Sequence, residues 1–352
     1  MKALILGDLF ITNDLLIKEL EKVFAGTGIE FEYTCRTDEW PVKPVEQNNE
    51  VREYCGPDED LIPLVKDAEI ILTHTACITK RVIDSATRLK AIAAARGGPV
   101  NINIKACTKR GIPVFYAPGR NSGAVAEFTI GLILAETRSI ARSHSSLFKE
   151  KKWRGDLYVL DRVGLELNSS VVGIIGFGAI GQKVAAILKG FGSQILVYDP
   201  YTDAFVIERA GCNKVEFDEL MRRSDVVSLH CRYNEKTKGM IGEEEIGLMK
   251  KTAYLINTAR GELIDHDALY KALKEKRIAG AALDVFESEP PPHLSPIYQL
   301  DNVTATTHLG GASIQAAEIG ARIAVEEIYS YITGSGKIRF LANPEVFTNN
   351  QY

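Results

Sequence analysis

Three side chains that can bind and deprotonate a small acid follow predicted strands in the C-terminal part of the sequence. Arg260, Glu289 and His308 each lie shortly after a predominantly apolar run. Ligands of open α/β sheets bind beyond the carboxyl ends of the strands, so the three side chains are expected at one sheet edge. Each residue type alone is more often structural; their joint occurrence beside a nucleotide-binding loop, described below, predicts a site.

These residue types suit the transfer of a hydride from a 2-hydroxy acid. The guanidinium of Arg260 can hold a carboxylate through two parallel hydrogen bonds. The imidazole of His308 titrates near neutral pH and can accept the hydroxyl proton as the hydride leaves C2. Glu289 can orient the imidazole and stabilise its protonated form. We therefore predict that Arg260, Glu289 and His308 are catalytic and that Arg260 and His308 also bind the substrate.

A glycine-rich segment joins the predicted strand Val171–Ile175 to a predicted helix. Its first glycine allows a tight turn, its second lets the backbone approach a pyrophosphate, and its third lets helix and strand pack closely. The N-terminus of the helix offers free N–H groups and a positive dipole to phosphates. The glycine pattern alone is weak, so the prediction depends on the flanking strand and helix. The predicted loop comprises Gly176, Phe177, Gly178, Ala179, Ile180 and Gly181.

Asp199 closes the next predicted strand, about 20 residues past the glycine loop, where a carboxylate binds the ribose 2′-hydroxyl of a dinucleotide. A carboxylate there would repel a 2′-phosphate, so NAD is favoured over NADP. His230 ends another strand of the same predicted domain. It is expected either near the cofactor or in a packing or capping role.

The elements that must position these residues alternate along the chain, which predicts parallel sheets covered by helices on both faces. The first third contains predicted strands at Ala3–Leu6, Ile29–Tyr33, Glu69–Leu72, Leu89–Ala95 and Ile112–Tyr116, and helices at Asp14–Ala25, Thr79–Ala86 and Asn101–Arg110. The second stretch contains strands at Val171–Ile175, Ile195–Tyr198, Val226–Leu229, Ala253–Ile256, Gly280–Leu283 and Val303–Thr306, and helices that include Gly181–Leu188 and Asp267–Glu275.

The predicted helix Ala124–Ile140 is apolar almost all round. A helix without a polar face must be buried on several sides. Two interpretations remain open at this point: an interior helix of one domain, or a helix wedged between domains or between subunits.

Composition excludes several classes of protein. The chain has 352 residues, is 45% hydrophobic and carries a formal charge of −4, which excludes a disordered or collagen-like chain and gives no support for a nucleic-acid partner. Six cysteines without a Cys-x-x-Cys pair, and histidines without close pairs, predict reduced thiols and no metal site. We identify no signal peptide and no apolar run long enough to span a membrane, so a cytoplasmic location is expected.

Together these motifs resemble the D-isomer-specific 2-hydroxyacid dehydrogenase family, which includes D-glycerate, D-lactate and 3-phosphoglycerate dehydrogenases. The resemblance implies a flavodoxin-like substrate domain (residues 1–118 and 318–352) into which a Rossmann NAD-binding domain (119–317) is inserted, with substrate bound in the cleft. The fold class is thus α/β with two doubly wound parallel sheets. The segments that carry the resemblance are Gly164–Leu167, Gly176–Gly181, Asn257–Gly261, Ala282–Pro290 and Thr307–Ser313.

The resemblance assigns roles by position. Arg260, Glu289 and His308 match the carboxylate-binding arginine, the orienting glutamate and the acid–base histidine of the family, and Asp284 matches a residue that contacts the nicotinamide carboxamide. The segment 122–140 matches a helix that builds a dimer. The predicted substrate loop contains Arg96, Gly97, Gly98 and Val100, and the predicted cofactor site further includes His230, Cys231, Thr258, Arg260, Asp284, His308 and Gly310.

The sequence also departs from the family pattern. Cys231 and Arg232 follow His230 where many members have His-x-Pro, and Thr307 stands where proline is usual. Residues 73–75 read Thr-His-Thr where phosphoglycerate enzymes have an arginine, which puts 3-phosphoglycerate in doubt as the substrate. The loop 97–101 resembles a subgroup with glycerate-like or sugar-acid substrates. Arg96 is either a second cation for the substrate or structural.

The sequence therefore predicts an NAD-dependent oxidoreductase that acts reversibly on a small D-2-hydroxy acid (glycerate, phosphoglycerate or a sugar-acid-like compound) as a homodimer without nucleic-acid or membrane partners. Two alternatives remain: an NAD-sensing interaction module resembling corepressors on the same fold, and a formate- or phosphite-type dehydrogenase.

Overall fold

The computed structural model describes residues 1–293 and 295–348 of the chain. Contacts divide the chain into two compact units: Met1–Asn121 together with the residues from Ala312 onwards form the first, and Ser122–Gly311 form the second. The boundaries inferred from the family resemblance, after residues 118 and 317, differ by a few residues. The helix that starts at Ile314 lies wholly in the first unit, so the second boundary falls after residue 311 and not after residue 317.

The chain forms strands and helices in an alternating order. The strands are β1 Lys2–Gly7, β2 Glu32–Thr37, β3 Glu46–Gln47, β4 Arg52–Tyr54, β5 Ile70–Thr73, β6 Ala91–Ala94, β7 Val114–Tyr116, β8 Val171–Ile175, β9 Gln194–Tyr198, β10 Asn213–Lys214, β11 Val226–Leu229, β12 Tyr254–Asn257, β13 Gly280–Leu283 and β14 Val303–Ala305. The α-helices are α1 Asn13–Val23, α2 Ile62–Val65, α3 Lys80–Ser85, α4 Ile104–Lys109, α5 Ser122–Thr137, α6 Ile140–Lys149, α7 Ala179–Gly190, α8 Ala204–Arg209, α9 Phe217–Arg223, α10 Glu243–Leu248, α11 His266–Lys274 and α12 Ile314–Thr333.

The first unit contains a five-stranded parallel sheet in the order β2-β1-β5-β6-β7. This is the flavodoxin-like order, in which the first strand lies beside the second and the third. Strands β5 and β6 are buried along their whole length, because helices cover both faces of the sheet. Helix α12 begins where the Ser313 side chain accepts a hydrogen bond from Ala316 N–H, and it ends at Gly334, whose φ is +66°.

The second unit contains a seven-stranded parallel sheet in the order β10-β9-β8-β11-β12-β13-β14. This is the Rossmann order with one further strand, so the predicted fold class is confirmed. The strand order reverses between β8 and β11, and the loops after these two strands lie at the topological switch point. Sheets of this type bind ligands there, beyond the carboxyl ends of the strands.

Helix α5 is interior to the second unit. It packs against α7 and against strands β12, β13 and β14, and Ile130 and Ile133 are buried in the core. The predicted helix Ala124–Ile140 is too long, because the chain breaks at Ser139, whose φ of +55° is left-handed, and continues as α6.

Other differences from the predicted elements are local. Strand β2 lies three to four residues further along the chain than predicted, because it is an edge strand whose polar residues give no apolar run. The short strands β3, β4 and β10 were not predicted, since two or three residues carry no periodic signal. Within the part of the chain that the structure describes, no helix has the length and apolar character needed to cross a membrane.

Candidate active site

The glycine loop connects β8 to α7, and its three glycines meet different surroundings. Gly176 has a φ of +96°, and a Cβ atom there would lie 2.6 Å from the backbone nitrogen of Cys231. A Cβ at Gly181 would collide with the carbonyl oxygen of Gly176. A Cβ at Gly178 would meet nothing within 4 Å. Gly176 and Gly181 are thus required by the fold, whereas Gly178 borders open space in front of a helix N-terminus, which fits a pyrophosphate.

Asp199, directly after β9, closes this loop. Its Oδ2 accepts a hydrogen bond from the N–H of Phe177 at 2.6 Å, and its Oδ1 accepts from the N–H groups of Tyr201 and Thr202 at 2.8 and 3.0 Å. Burial favours the neutral acid, but these hydrogen bonds outweigh it and lower the pKa of Asp199. The predicted ribose-binding residue is therefore an ionised carboxylate joined to the glycine loop.

His308 and Glu289 form a hydrogen-bonded pair. The Nδ1 of His308 lies 2.6 Å from Oε2 of Glu289, and Oε1 of Glu289 accepts from the N–H of Phe286 at 3.0 Å. The hydrogen bond to Glu289 raises the pKa of His308 even though burial opposes it. Burial would raise the pKa of Glu289, but the hydrogen bond and the charge of His308 lower it. Since Nδ1 is used, Nε2 is the ring nitrogen left for proton transfer.

Arg260 belongs to the same cluster, because its charge lowers the pKa of both His308 and Glu289. The side chain of Asn257 shapes the loop: its amide donates to the carbonyl oxygen of Arg260 at 2.8 Å and its oxygen accepts from Ala259 N–H at 3.0 Å. The guanidinium is exposed and donates one hydrogen bond, to the carbonyl oxygen of Ala259. The structure thus pairs His308 with Glu289 directly and places the charge of Arg260 close enough to act on both.

Asp284 holds the segment that carries His308. Its buried carboxylate accepts hydrogen bonds from Thr306 Oγ1 at 2.6 Å and from the N–H groups of Leu309 and Gly310 at 2.8 and 2.7 Å. The backbone of His308 itself is left-handed, with a φ of +57°, a conformation that non-glycine residues rarely adopt. Asp284 therefore positions His308, a role that sequence reasoning missed because its partners, one hydroxyl and two backbone N–H groups, lie more than twenty residues away.

Other predicted cofactor residues direct their side chains into the protein. The Oγ1 of Thr258 lies 2.8 Å from Oγ1 of Thr129 on α5, and the thiol of Cys231 lies 3.6 Å from the sulfur of Met240. The Nε2 of His230 contacts Ser228 Oγ at 2.9 Å, and burial lowers the pKa of His230 to about 4, so the ring is neutral. These contacts favour the packing interpretation of His230.

The predicted substrate loop lies in the first unit. Arg96 forms an ion pair with Glu53 and donates to the carbonyl oxygen of Glu53 at 2.9 Å. Cβ atoms at Gly97 and Gly98 would meet nothing within 4 Å, and the N–H of Val100 donates to the carbonyl oxygen of Gly98. The contacts of Arg96 favour its structural interpretation, whereas the two glycines leave their backbone approachable.

The sequence of this chain matches a family model described as the NAD-binding domain of D-isomer-specific 2-hydroxyacid dehydrogenases over residues 130–310, more than half of the chain. The chain belongs to this family. The match covers the glycine loop, Asp199 and the Arg260–Glu289–His308 cluster, so the predicted family and its NAD cofactor are confirmed. Members of this family are NAD-dependent oxidoreductases that act on CH–OH groups.

Three similar proteins illustrate the range of the family. A D-3-phosphoglycerate dehydrogenase of Methanocaldococcus jannaschii is 41% identical over 83% of this chain and 55% of its own length, and a glyoxylate reductase of Thermofilum pendens is 39% identical over 81% and 85%. The crystal structure of a D-lactate dehydrogenase of Aquifex aeolicus with NAD and lactic acid superimposes with a TM-score of 0.68 at 29% identity, over 94% of this chain and 96% of the other. The chain thus spans about half the length of the phosphoglycerate dehydrogenase.

Among the described residues, no group of His, Cys, Asp and Glu side chains is arranged to hold a metal ion. All six cysteines are free thiols.

Proposed function

We propose that this protein catalyses the reversible, NAD-dependent oxidation of a small D-2-hydroxy acid to the corresponding 2-keto acid. The observation that carries the proposal is the pairing of His308 Nδ1 with Glu289 at 2.6 Å beside the charge of Arg260. All three residues follow strands of the sheet whose glycine loop fits a dinucleotide. Substrates of the glycerate, phosphoglycerate or sugar-acid type are the candidates, and the two relatives are named for 3-phosphoglycerate and for glyoxylate.

Each residue of the cluster has a defined task in this reaction. The guanidinium of Arg260 binds the C1 carboxylate and fixes the orientation of C2. His308 Nε2 accepts the proton of the C2 hydroxyl, and Glu289 stabilises the imidazolium that forms. Bound NAD supplies the acceptor for the hydride that leaves C2. In the opposite direction, protonated His308 donates its proton to the keto oxygen.

Further cofactor and substrate contacts are proposed by position. Gly176–Gly181 holds the pyrophosphate and Asp199 the ribose hydroxyls, and the ionised Asp199 disfavours the 2′-phosphate of NADP. In the first unit, the backbone N–H groups proposed to meet a carboxylate are those of Gly97 and Gly98, because Pro99 has no N–H and the N–H of Val100 donates to the carbonyl oxygen of Gly98.

We also propose that the protein is a cytoplasmic homodimer. The segment 140–160 of the second unit exposes seven large apolar side chains, and a concentration of exposed apolar residues is typical of interaction sites. Sedimentation at equilibrium tests this: a monomer mass at micromolar concentration would refute the dimer. The free thiols support a reducing compartment. The exposed apolar side chains are Ile140, Leu147, Phe148, Trp153, Tyr158, Val159 and Leu160.

A screen of 2-keto acids with NADH, and of 2-hydroxy acids, formate and phosphite with NAD, tests the function by absorbance at 340 nm. Turnover of at least one 2-keto acid and its hydroxy acid is expected. Binding of NADH without turnover of any acid would refute the enzyme and favour the sensing module. Turnover of formate or phosphite alone would favour a formate- or phosphite-type dehydrogenase.

A further inference from the structure

Two loops of the second unit lie against each other at the carboxyl edge of its sheet. One follows β12 and carries Arg260, and the other follows β13 and carries Glu289. They meet at Gly261, which is buried: a Cβ atom there would lie 2.0 Å from the carbonyl carbon of Phe286 and 2.3 Å from the nitrogen of Glu287. The peptide bond between residues 286 and 287 therefore occupies the space that a side chain at residue 261 would fill.

The same peptide segment holds the glutamate of the His308–Glu289 pair. The N–H of Phe286 donates to Oε1 of Glu289 at 3.0 Å, and Oε2 of Glu289 lies 2.6 Å from Nδ1 of His308. One carboxylate oxygen is thus fixed by the backbone and the other by the imidazole. The position of the Phe286 N–H group consequently determines how Glu289 is presented to His308, and the contact with Gly261 determines that position.

The loop that carries Arg260 is also held by His266, the first residue of α11. Nε2 of His266 lies 3.1 Å from the carbonyl oxygen of Gly261, and a carbonyl oxygen can only accept, so Nε2 carries a proton and donates. The same oxygen accepts from the N–H of Ile264 at 3.1 Å. The ring centres of His266 and Phe286 are 6.2 Å apart. His266 therefore adjoins both loops.

The charged groups that act on His308 include one from each of these two loops. The hydrogen bond to Glu289 raises the pKa of His308, burial and the charge of Arg260 lower it, and the charge of Asp284 raises it. Such interactions depend on the distance between the charges. A displacement of either loop is therefore expected to change the protonation of His308 as well as the position of the guanidinium.

We propose that Gly261 and His266 are positioning residues that join the Arg260 loop to the Glu289 loop, so that the carboxylate-binding group and the acid–base pair are held in one arrangement. Gly261 acts by admitting the peptide bond 286–287, and His266 acts by holding the carbonyl oxygen of Gly261. Both act through other residues. This inference rests on the proposed function of the cluster, and the contacts that carry it lie within the second unit.

Gly261→Ala tests the contact between the loops. The added Cβ atom has to displace backbone atoms of Phe286 and Glu287, which carries the Phe286 N–H group away from its acceptor on Glu289. Because a displacement of about 1 Å can cost about 100-fold in rate, kcat/KM for the best 2-keto acid from the screen is expected to fall by about 100-fold. The pKa of His308 is expected to fall as well, because its hydrogen bond to Glu289 weakens.

Two measurements report on the two loops separately. KM for the acid reports on Arg260, and the pKa of His308 is obtained by NMR titration of the whole chain with isotope-labelled histidines, without substrate. The signal of His308 is identified by its absence from the spectrum of His308→Asn. Gly247→Ala is the matched control, since Gly247 is exposed on α10 and a Cβ atom there meets nothing within 4 Å. Both quantities are expected to keep their wild-type values in this control.

Variants of His266 keep the test decisive if Gly261→Ala does not fold. His266→Ala removes the side-chain donor to the carbonyl oxygen of Gly261. It is expected to lower kcat/KM by about 2- to 10-fold, the range of one hydrogen bond, and to lower the pKa of His308. His266→Gln, whose amide can donate to the same oxygen, is expected to restore both quantities toward their wild-type values.

The inference is overturned if the pKa of His308 is unchanged in folded Gly261→Ala, even if KM for the acid rises, because the two loops are then independent. Where Gly261→Ala does not fold, an unchanged pKa in His266→Ala has the same consequence. Equal losses in His266→Ala and His266→Gln also overturn it. If no acid is turned over, the proposed function fails, and the NMR titration still decides this inference.

Discussion

Replacement of His308 provides the most direct test of the proposed chemistry. Because the backbone at residue 308 is left-handed, with a φ of +57°, asparagine is the best-suited replacement: it tolerates this conformation better than most residues and cannot accept the proton. Removal of a general acid–base group costs about 10²- to 10⁴-fold in rate. That loss corresponds to about 3–5 kcal/mol of transition-state stabilisation.

The structure indicates how this loss is divided between kcat and KM. Asp284 holds the segment through Thr306 and the N–H groups of Leu309 and Gly310, none of which involves the imidazole. The loop is therefore expected to keep its shape in His308→Asn, and Arg260 is expected to keep binding the substrate carboxylate. The fall should appear in kcat, with KM for NADH and the melting temperature close to those of the wild-type protein.

The assay follows NADH consumption under steady-state conditions with the best 2-keto acid from the screen, so that kcat and KM are obtained separately. His144→Asn is the matched control, since His144 is exposed on α6 and contacts Phe148. A His308→Asn variant that folds, binds NADH and retains more than about one tenth of the wild-type kcat would contradict the acid–base role, because even the weakest general acid–base effects are larger.

Three further predictions follow from the same site. Arg260→Ala is expected to raise KM for the acid by about 10- to 100-fold, the range of a hydrogen bond between charged groups, with little change in KM for NADH; an unchanged KM for the acid would contradict its role. Gly178→Ala should raise KM for NADH without changing the melting temperature, because a Cβ atom there meets no protein atom within 4 Å. Gly176→Ala should lower the free energy of unfolding, measured with urea, by about 1–3 kcal/mol, because the φ of Gly176 is left-handed. Reduction of a 2-keto acid requires protonated His308, and Glu289 raises the pKa of this histidine. As the pH rises through that raised pKa, kcat/KM should fall for 2-keto acids and should rise for hydroxy acids. In Glu289→Gln the pKa of His308 is expected to be lower, so both changes should occur at lower pH.

The parts of the fold that were predictable are those with strong apolar periodicity. Strands β8, β11 and β13 were predicted with their observed bounds, because each is a buried run of four or five residues between clear loop signals. The edge strand β2 and the break after α5 were not, since polar edge residues and a single left-handed serine leave no pattern in a sequence. Tertiary contacts decide such boundaries.

The candidate site was predictable to the extent that its residues follow strand ends. Arg260, Glu289 and His308 come from neighbouring strands β12, β13 and β14, so the topology of a parallel sheet places them along one edge. The role of Asp284 was not predictable, because a buried carboxylate that accepts backbone N–H groups has no sequence signature.

The hydrogen-bonded chain Asp8–His74–Arg120 in the first unit was not predictable from the sequence. His74 is 66 residues from Asp8 and 46 from Arg120, and each residue alone has an ordinary structural interpretation. Only the strand order β1-β5-β6-β7 brings the three residues to one sheet edge. Because Arg120 donates to Nε2 of His74, the ring proton lies on Nδ1 and is donated to Asp8. Asp8 therefore orients the His74 ring and does not contact the guanidinium of Arg120 directly. The cluster in the second unit was thus predictable because its residues follow neighbouring strands, whereas the chain in the first unit joins residues whose pairing the sequence does not indicate.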